Sequence, residues 1–133
     1  MRPIVLMVDD NLGDHQLLTL AFDEAGIAVE VRFATDGYEG QKLLRAMTDG
    51  REPLCRLVLL DLNMPRINGR ELLGWARTLP ALRDVPIVVL TSSQIRKDRD
   101  DCLAGGATAF QIKPFDFNEY VTFARSLSTF LAG

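Results

Sequence analysis

Short, uninterrupted apolar runs alternate along the chain with segments of helical spacing, and this pattern restricts the fold more than any other feature. Residues 4–8, 57–60 and 87–90 are entirely apolar. Continuous runs of this length are typical of strands that are buried on both faces of a parallel sheet. Because helical segments separate the strands, right-handed crossovers should place helices on both faces of the sheet. The pattern therefore predicts an α/β fold with a doubly wound parallel sheet.

Two weaker strands, at residues 29–34 and 109–112, bring the predicted sheet to five strands. Val, Phe and Ile recur in them between Gly-rich or acidic flanks, which is a strand pattern. The helical segments between the strands end at glycine or proline, and the cap residues Asn68 and Asp116 begin the third and the fifth helix. In a sheet of this kind, ligands gather at the carboxyl ends of the strands.

Length and charge exclude several classes of protein. The chain has 133 residues, within the range of about 50 to 250 for one domain, so we expect a single domain over residues 1–133 and no output domain. A formal net charge of -3 supplies no electrostatic footprint for nucleic acid. The apolar runs are shorter than the roughly 18 residues of a membrane span. We therefore expect a soluble, cytoplasmic protein that binds neither nucleic acid nor membrane.

Polar side chains follow the predicted strands at the points where the strands end. Asp9 and Asp10 follow the first strand, Asp61 the third, Thr91 the fourth and Lys113 the fifth. These residues should meet at one edge of the sheet. Three converging carboxylates would repel one another unless a divalent cation lay between them, and oxygen ligands suit Mg²⁺. The sequence therefore predicts a magnesium site at this edge.

The same residues could also hold and transfer a phosphoryl group. A lysine ammonium can pair with an anion, and a hydroxyl such as that of Thr91 can donate a hydrogen bond to one of its oxygens. An aspartate can form an acyl phosphate when a metal ion and a lysine neutralise the charge of the incoming group. Asp61 follows a central strand, and it is the best placed nucleophile.

Over essentially its whole length, the sequence resembles the receiver domain of two-component response regulators. The residues that carry the likeness are Asp9-Asp10, Asp61, Thr91 and Lys113-Pro114. Asp61 and Thr91 are 30 residues apart (91 minus 61), and Thr91 and Lys113 are 22 apart (113 minus 91), which is similar to the spacing in that family. The resemblance implies a flavodoxin-like receiver fold in which Asp61 accepts a phosphoryl group from a histidine kinase with Mg²⁺.

The resemblance also implies roles for individual side chains. Asp10 would bind Mg²⁺ directly, Asp9 mainly through water, and Asn63 through its backbone carbonyl. Thr91 would donate to the phosphoryl oxygen and Lys113 would pair with it, with the Lys113-Pro114 bond in the cis form. Phe110 matches the aromatic switch position of the family, although ordinary core packing would also explain it. Asn63 and Ser93 flank the site and would tune the phosphorylated lifetime.

Two short sequence segments indicate a subfamily of receiver domains and the partners of this protein. The segment at residues 61–65 and its continuation at residues 68–71 resemble single-domain regulators that are paired with bacterial phytochrome kinases. The family implies a sensor histidine kinase as partner and an output face on the fourth helix, fifth strand and fifth helix. A downstream protein or a second copy would then bind the phosphorylated form.

The last helix has many apolar residues, which either belong to the core or form the interface of a homodimer: Tyr120, Val121, Phe123, Ala124, Leu127, Phe130 and Leu131.

Two other functions are compatible with this architecture. A phosphatase of the haloacid dehalogenase type also uses an aspartate nucleophile, Mg²⁺ and a lysine. It normally has the motif D-x-D-x-T after the first strand, which residues 9–13 do not match. A flavin-binding module should have a phosphate-binding loop rich in Ser, Thr and Gly after the first strand. In this sequence, Asp9 and Asp10 stand at that place and would repel a flavin phosphate. We therefore expect a phosphoacceptor with slow self-dephosphorylation and no external substrate. His15 is expected at an exposed position, and Cys55 and Cys102 as packing residues.

Overall fold

Five parallel strands form one sheet in a computed structural model that describes residues 2–64 and 66–131. The spatial order is β2-β1-β3-β4-β5, so the direction of winding reverses between β1 and β3. Every pair is parallel. The predicted doubly wound sheet is confirmed. The strands are β1 (Ile4–Val8), β2 (Glu30–Ala34), β3 (Leu57–Leu60), β4 (Ile87–Thr91) and β5 (Ala109–Ile112).

Helices connect the strands, and most begin at a side-chain cap. The Asn68 side chain accepts a hydrogen bond from the Glu71 N–H, and the Glu71 side chain completes a capping box. The Asp116 side chain accepts from the Glu119 N–H in the same way. Both predicted caps are therefore confirmed. The helices are α1 (Leu12–Glu24), α2 (Gly37–Thr48), α3 (Gly69–Ala76), α4 (Arg96–Ala104), α5 (Phe117–Ser126) and α6 (Ser128–Leu131), with a 3-10 helix at Pro80–Leu82.

The core consists of two apolar clusters, one on each face of the sheet. Val5 and Met7 of β1 face the cluster that contains α1 and α5, whereas Leu6 and Val8 face the cluster that contains α2, α3 and α4. Successive side chains of a strand point to opposite faces, and here both faces are covered. This is why β1 and β3 are apolar at every position and β4 is apolar up to its last residue, Thr91.

The apolar residues of the last helix lie in the first of these clusters. Tyr120, Val121, Phe123 and Ala124 are buried against α1 and the sheet, as are Leu127 and Leu131 beyond the helix, and Phe130 is half-buried. The stripe is therefore core packing and exposes no continuous apolar seam. Within the described residues, no helix is both long and apolar enough to cross a bilayer.

The two cysteines are buried and unpaired, as expected for packing residues. Burial raises the pKa of the Cys55 thiol to about 11, because the charged thiolate is disfavoured away from water. Both thiols are therefore poor nucleophiles at neutral pH.

Candidate functional site

Three carboxylates converge at the carboxyl edge of the sheet. Asp9 follows β1 and is buried, Asp61 follows β3 and is buried, and Asp10 is exposed at the mouth. One ligand oxygen from each lies within 4.8 Å of the others. Oxygen ligands so arranged are the donor set that Mg²⁺ and similar hard cations prefer. The three side chains therefore lie close together at this edge, as the sequence predicts.

Asp9 is the most deeply placed of the three, with an exposed fraction of 1%. Its Oδ1 accepts a hydrogen bond from the Asn11 N–H at 2.9 Å, while its buried Oδ2 faces the Lys113 ammonium at 2.9 Å. Burial raises the pKa of Asp9, and the Asn11 and Lys113 contacts offset this only in part. A buried carboxylate whose deeper oxygen already faces a cationic group fits a site that takes a cation.

Lys113 lies at the end of β5 and reaches all the deep carboxylates. Its Nζ lies 2.9 Å from Asp9 Oδ2, 2.8 Å from Asp14 Oδ2 and 3.6 Å from Asp61 Oδ2. Desolvation by burial lowers the pKa of Lys113, but the contacts with Asp14 and Asp9 and the charge of Asp61 outweigh it and raise the pKa. The ammonium therefore stays charged throughout the physiological range.

The Lys113-Pro114 bond is trans, since no cis peptide occurs among the described residues. The expected cis form is therefore wrong. The trans form is favoured for X-Pro bonds by about 0.5–1 kcal/mol.

Asp14 and Tyr120 belong to the site, although the sequence analysis did not single out either of them for it. The Tyr120 hydroxyl donates to Asp14 Oδ1 at 2.5 Å, and Asp14 Oδ2 accepts from Lys113. Desolvation raises the pKa of Tyr120, as do the hydrogen bond to Asp14 and the nearby negative charges. Asp14 does not follow a strand, and its place in the first turn of α1, three residues after the Asn11 cap, gives no sign of the site.

His15 is buried, and the expectation of an exposed position is wrong. Its Nε2 lies 2.6 Å from the backbone carbonyl oxygen of Asp9, to which it donates. Its ring meets that of Phe33 edge to face, with centroids 4.4 Å apart. The orientation of α1 directs the His15 ring toward the end of β1, where it donates to the carbonyl oxygen of Asp9.

Thr91 is the last residue of β4, not the first residue after it, and it is fully buried. Its Oγ1 accepts a hydrogen bond from the Ser93 N–H at 3.3 Å. The Ser93 hydroxyl in turn donates to Asp98 Oδ2 at 2.5 Å, and Asp98 forms an ion pair with Arg70. The loop after β4 is thereby attached to both α3 and α4.

The loop after β3 is shaped by a close approach of the backbone. The Asn63 N–H points to Asp61 Oδ1 at 3.4 Å. Gly69 packs so tightly that a Cβ there would overlap the carbonyl oxygen of Asp61 and the Cα of Leu62. The start of α3 therefore holds the Asp61 backbone in place.

Phe110, the expected switch residue, is half-buried and packs against the cluster on the α4 side of the sheet. It also lines a surface cavity of about 750 Å³ between α4 and β5. One part of the ring therefore borders the core and another part borders this surface cavity.

Sequence comparison finds similarity to regulatory proteins over most of the chain. The family model of the response regulator receiver domain matches residues 5–125. The probable methanogenesis regulatory protein FilR2 of Methanothrix harundinacea is 33% identical over 116 residues, covering 87% of this chain and 75% of FilR2. The response regulator Rcp1 of Synechocystis is 32% identical over 102 residues, covering 76% of this chain and 67% of Rcp1.

Solved structures show the same similarity in three dimensions. The Mn²⁺-bound form of Rcp1 superposes with a TM-score of 0.84 at 26% identity, covering 96% of this chain and 93% of that one. The phosphorylated cyanobacterial phytochrome response regulator RcpA superposes with a TM-score of 0.87 at 26% identity, covering 98% and 94%. The likeness therefore extends over nearly the whole chain and includes all the strand ends of the site.

Proposed function

This chain belongs to the response regulator receiver domain family, and from that premise we propose that it works as a switch that is phosphorylated on Asp61. The observation that carries the proposal is the meeting of Asp9, Asp10 and Asp61 with Lys113 at one edge of the sheet. Asp61 is the carboxylate at the end of the central strand β3. Its backbone is held by α3, so the nucleophile is positioned before any donor arrives.

The proposed reaction is phosphoryl transfer from a phosphohistidine of a sensor kinase. A carboxylate oxygen of Asp61 attacks the phosphorus; a P–O bond forms while the P–N bond breaks, and its electron pair returns to the imidazole. Lys113 pairs with the phosphoryl oxygens, and Thr91 donates its hydroxyl hydrogen to one of them. Dephosphorylation is a separate step: water attacks the phosphorus, the bond between phosphorus and the Asp61 oxygen breaks, and inorganic phosphate leaves with the Asp61 carboxylate restored.

A divalent cation, which we propose to be Mg²⁺, completes the site. Asp10 would bind it directly, Asp9 mainly through water, Asp61 through its carboxylate and Asn63 through its backbone carbonyl. When bound, the cation neutralises charge on the transferring group. Support comes from the convergence of Asp9, Asp10 and Asp61, whose ligand oxygens lie within 4.8 Å of one another, and from the Mn²⁺ in the related Rcp1.

Phosphorylation would be read through Thr91 and Phe110. When Thr91 turns toward the phosphoryl group, it gives up the hydrogen bond that it accepts from Ser93, and Phe110 can move inward. Ser93 and Asn63 flank the reacting atoms, and we propose that they tune the phosphorylated lifetime. The half-buried resting position of Phe110 supports this switch.

The proposed partners are a histidine kinase and a protein that reads the phosphorylated surface. The likeness to the phytochrome response regulator RcpA supports a kinase of the bacterial phytochrome class, and we propose that the two proteins act in the cytoplasm. Pairing of two copies through the last helix stays a prediction, and it would have to use exposed residues together with the half-buried Phe130, because the other residues of the stripe are buried.

The test is intact mass after incubation with acetyl phosphate, with and without Mg²⁺. We expect one metal-dependent phosphoryl adduct in the wild type and in the control Asp84→Asn, which changes an exposed aspartate outside the site. The adduct should be absent in Asp61→Asn. An adduct that persists in Asp61→Asn, or none in the folded wild type, would contradict the proposal, as would steady turnover of a phosphate ester.

A further inference from the structure

Asp14 lies where α1 and α5 meet beside the site. It is the third residue of α1, and its N–H is held by the Asn11 cap at 3.2 Å. Its side chain is only 14% exposed. A carboxylate this enclosed is costly unless its oxygens have partners, so the contacts of both oxygens are informative.

Each oxygen of Asp14 has one strong partner. Oδ2 accepts from Lys113 Nζ at 2.8 Å, and Oδ1 accepts from the Tyr120 hydroxyl at 2.5 Å. The Tyr120 ring is buried in the core, so it cannot swing away. Tyr120 therefore fixes the orientation in which Asp14 faces Lys113.

Lys113 is shared unequally among its carboxylates. Its Nζ is 2.8 Å from Asp14 and 2.9 Å from Asp9 but 3.6 Å from Asp61, and attraction between charges falls with distance. Without Asp14, the ammonium would pair only with Asp9 and Asp61, which are two of the residues that would hold the cation. Ammonium and metal ion, which already share Asp9, would then compete for Asp61 as well.

We propose that Asp14 is a positioning residue that draws Lys113 away from Asp61 and keeps the acidic pocket open for a divalent cation. This inference rests on the proposed function, since it assigns a task within that site. Tyr120 orients Asp14, and Asp14 acts through Lys113. When Asp61 is phosphorylated, Lys113 leaves Asp14 for the phosphoryl oxygens, so the contact between α1 and α5 depends on phosphorylation.

The first experiment is calorimetric titration of the unphosphorylated protein with Mg²⁺, using Asp14→Asn, Lys113→Met and the double variant. Asp14→Asn should weaken Mg²⁺ binding about fivefold, the scale of one nearby charge at a partly exposed site. Lys113→Met should strengthen binding, because the competing cation is gone. In the Lys113→Met background, Asp14→Asn should have a much smaller effect, which a double-mutant cycle measures. Asp23→Asn is the matched control, since it removes the same charge from an exposed position later in α1.

Two results would overturn the proposal. One is an affinity of Asp14→Asn within twofold of the wild type; the other is the same fold-change in both backgrounds, which would mean that Asp14 does not act through Lys113. Circular dichroism checks that each variant is folded. Should Asp14→Asn not fold, Tyr120→Phe replaces it: the ring stays, and the loss of orientation should weaken Mg²⁺ binding in the same direction by a smaller factor. Unchanged affinity in that variant would also overturn the proposal.

The second experiment separates positioning from a structural role. At saturating Mg²⁺, Asp14→Asn should reach a higher phosphorylated fraction with acetyl phosphate, because Lys113 no longer has to break its ion pair with Asp14. A structural defect would lower both metal affinity and phosphorylation, and a lower fraction would therefore contradict the inference. If the wild type forms no adduct, the proposed function fails, while the Mg²⁺ cycle still decides the role of Asp14 in metal binding.

Discussion

At the scale of single residues, Arg77 holds together the edge of the sheet opposite the site. Its guanidinium donates to the carbonyl oxygens of Leu82 at 2.7 Å, Gly106 at 2.8 Å and Val85 at 2.9 Å. These carbonyls belong to the loops that lead into β4 and β5. Desolvation by burial lowers the pKa of Arg77, but hydrogen bonds to several carbonyls compensate for the buried charge.

Arg77→Met should therefore lower the free energy of unfolding by about 1–3 kcal/mol, the usual cost of leaving buried polar groups unpaired. Urea unfolding measures this change. Arg83→Met is the control: Arg83 is exposed, and a surface substitution of this kind usually changes stability by about 0.5 kcal/mol or less. Equal effects of the two substitutions would show that the carbonyl contacts of Arg77 do not stabilise the fold.

At the scale of elements, α3 carries two glycines with opposite requirements. A Cβ on Gly69 would overlap the backbone of Asp61 and Leu62, whereas a Cβ on Gly74 would meet nothing within 4 Å. Both residues lie in the same helix. Their substitution by alanine therefore separates helix propensity from the packing that positions Asp61.

Gly74→Ala should raise the free energy of unfolding by about 0.5–1 kcal/mol, because alanine is the better helix former. Gly69→Ala should lower it and should also slow phosphorylation by acetyl phosphate, since the Asp61 backbone must move. Urea unfolding and the rate of adduct formation by intact mass are the measurements. A Gly69→Ala protein as stable and as fast as the wild type would show that α3 does not hold Asp61 in position.

At the scale of the whole molecule, the buried acidic pocket opposes folding when no cation is bound. Burial raises the pKa of Asp9 above 3.8. A carboxyl group whose folded pKa is raised contributes most to stability below its unfolded pKa, and it loses that contribution as pH rises through the folded pKa. At neutral pH, the charged Asp9 is therefore a cost that a bound cation would offset.

We expect Asp9→Asn to have a higher thermal unfolding midpoint than the wild type without metal, and a lower one when Mg²⁺ is present. In EDTA at pH 7, Asp9→Asn should melt above the wild type, because the buried charge is gone. With excess Mg²⁺, the wild type should gain stability by mass action and melt above Asp9→Asn. Differential scanning calorimetry measures both midpoints. If Mg²⁺ stabilised the two proteins equally, Asp9 would have no part in holding the cation.

Much of the site follows from the order of residues along the chain. Asp9, Asp10, Asp61 and Lys113 each follow a parallel strand, and parallel strands bring their carboxyl ends to one edge of the sheet. Continuous apolar runs require cover on both faces, so the three layers were also predictable. These inferences need only the period of a strand and the direction of the chain.

The tertiary structure alone decided which helical side chains join that edge. Whether Asp14, His15 or Tyr120 faces the site depends on how α1 and α5 are rotated and packed against each other, and local spacing does not specify this. Packing also placed the apolar stripe of the last helix in the core, where the sequence had left a dimer seam open. Strand ends are set by the backbone hydrogen bonds of the sheet, whereas helix rotation is set by the fit of side chains from distant parts of the chain.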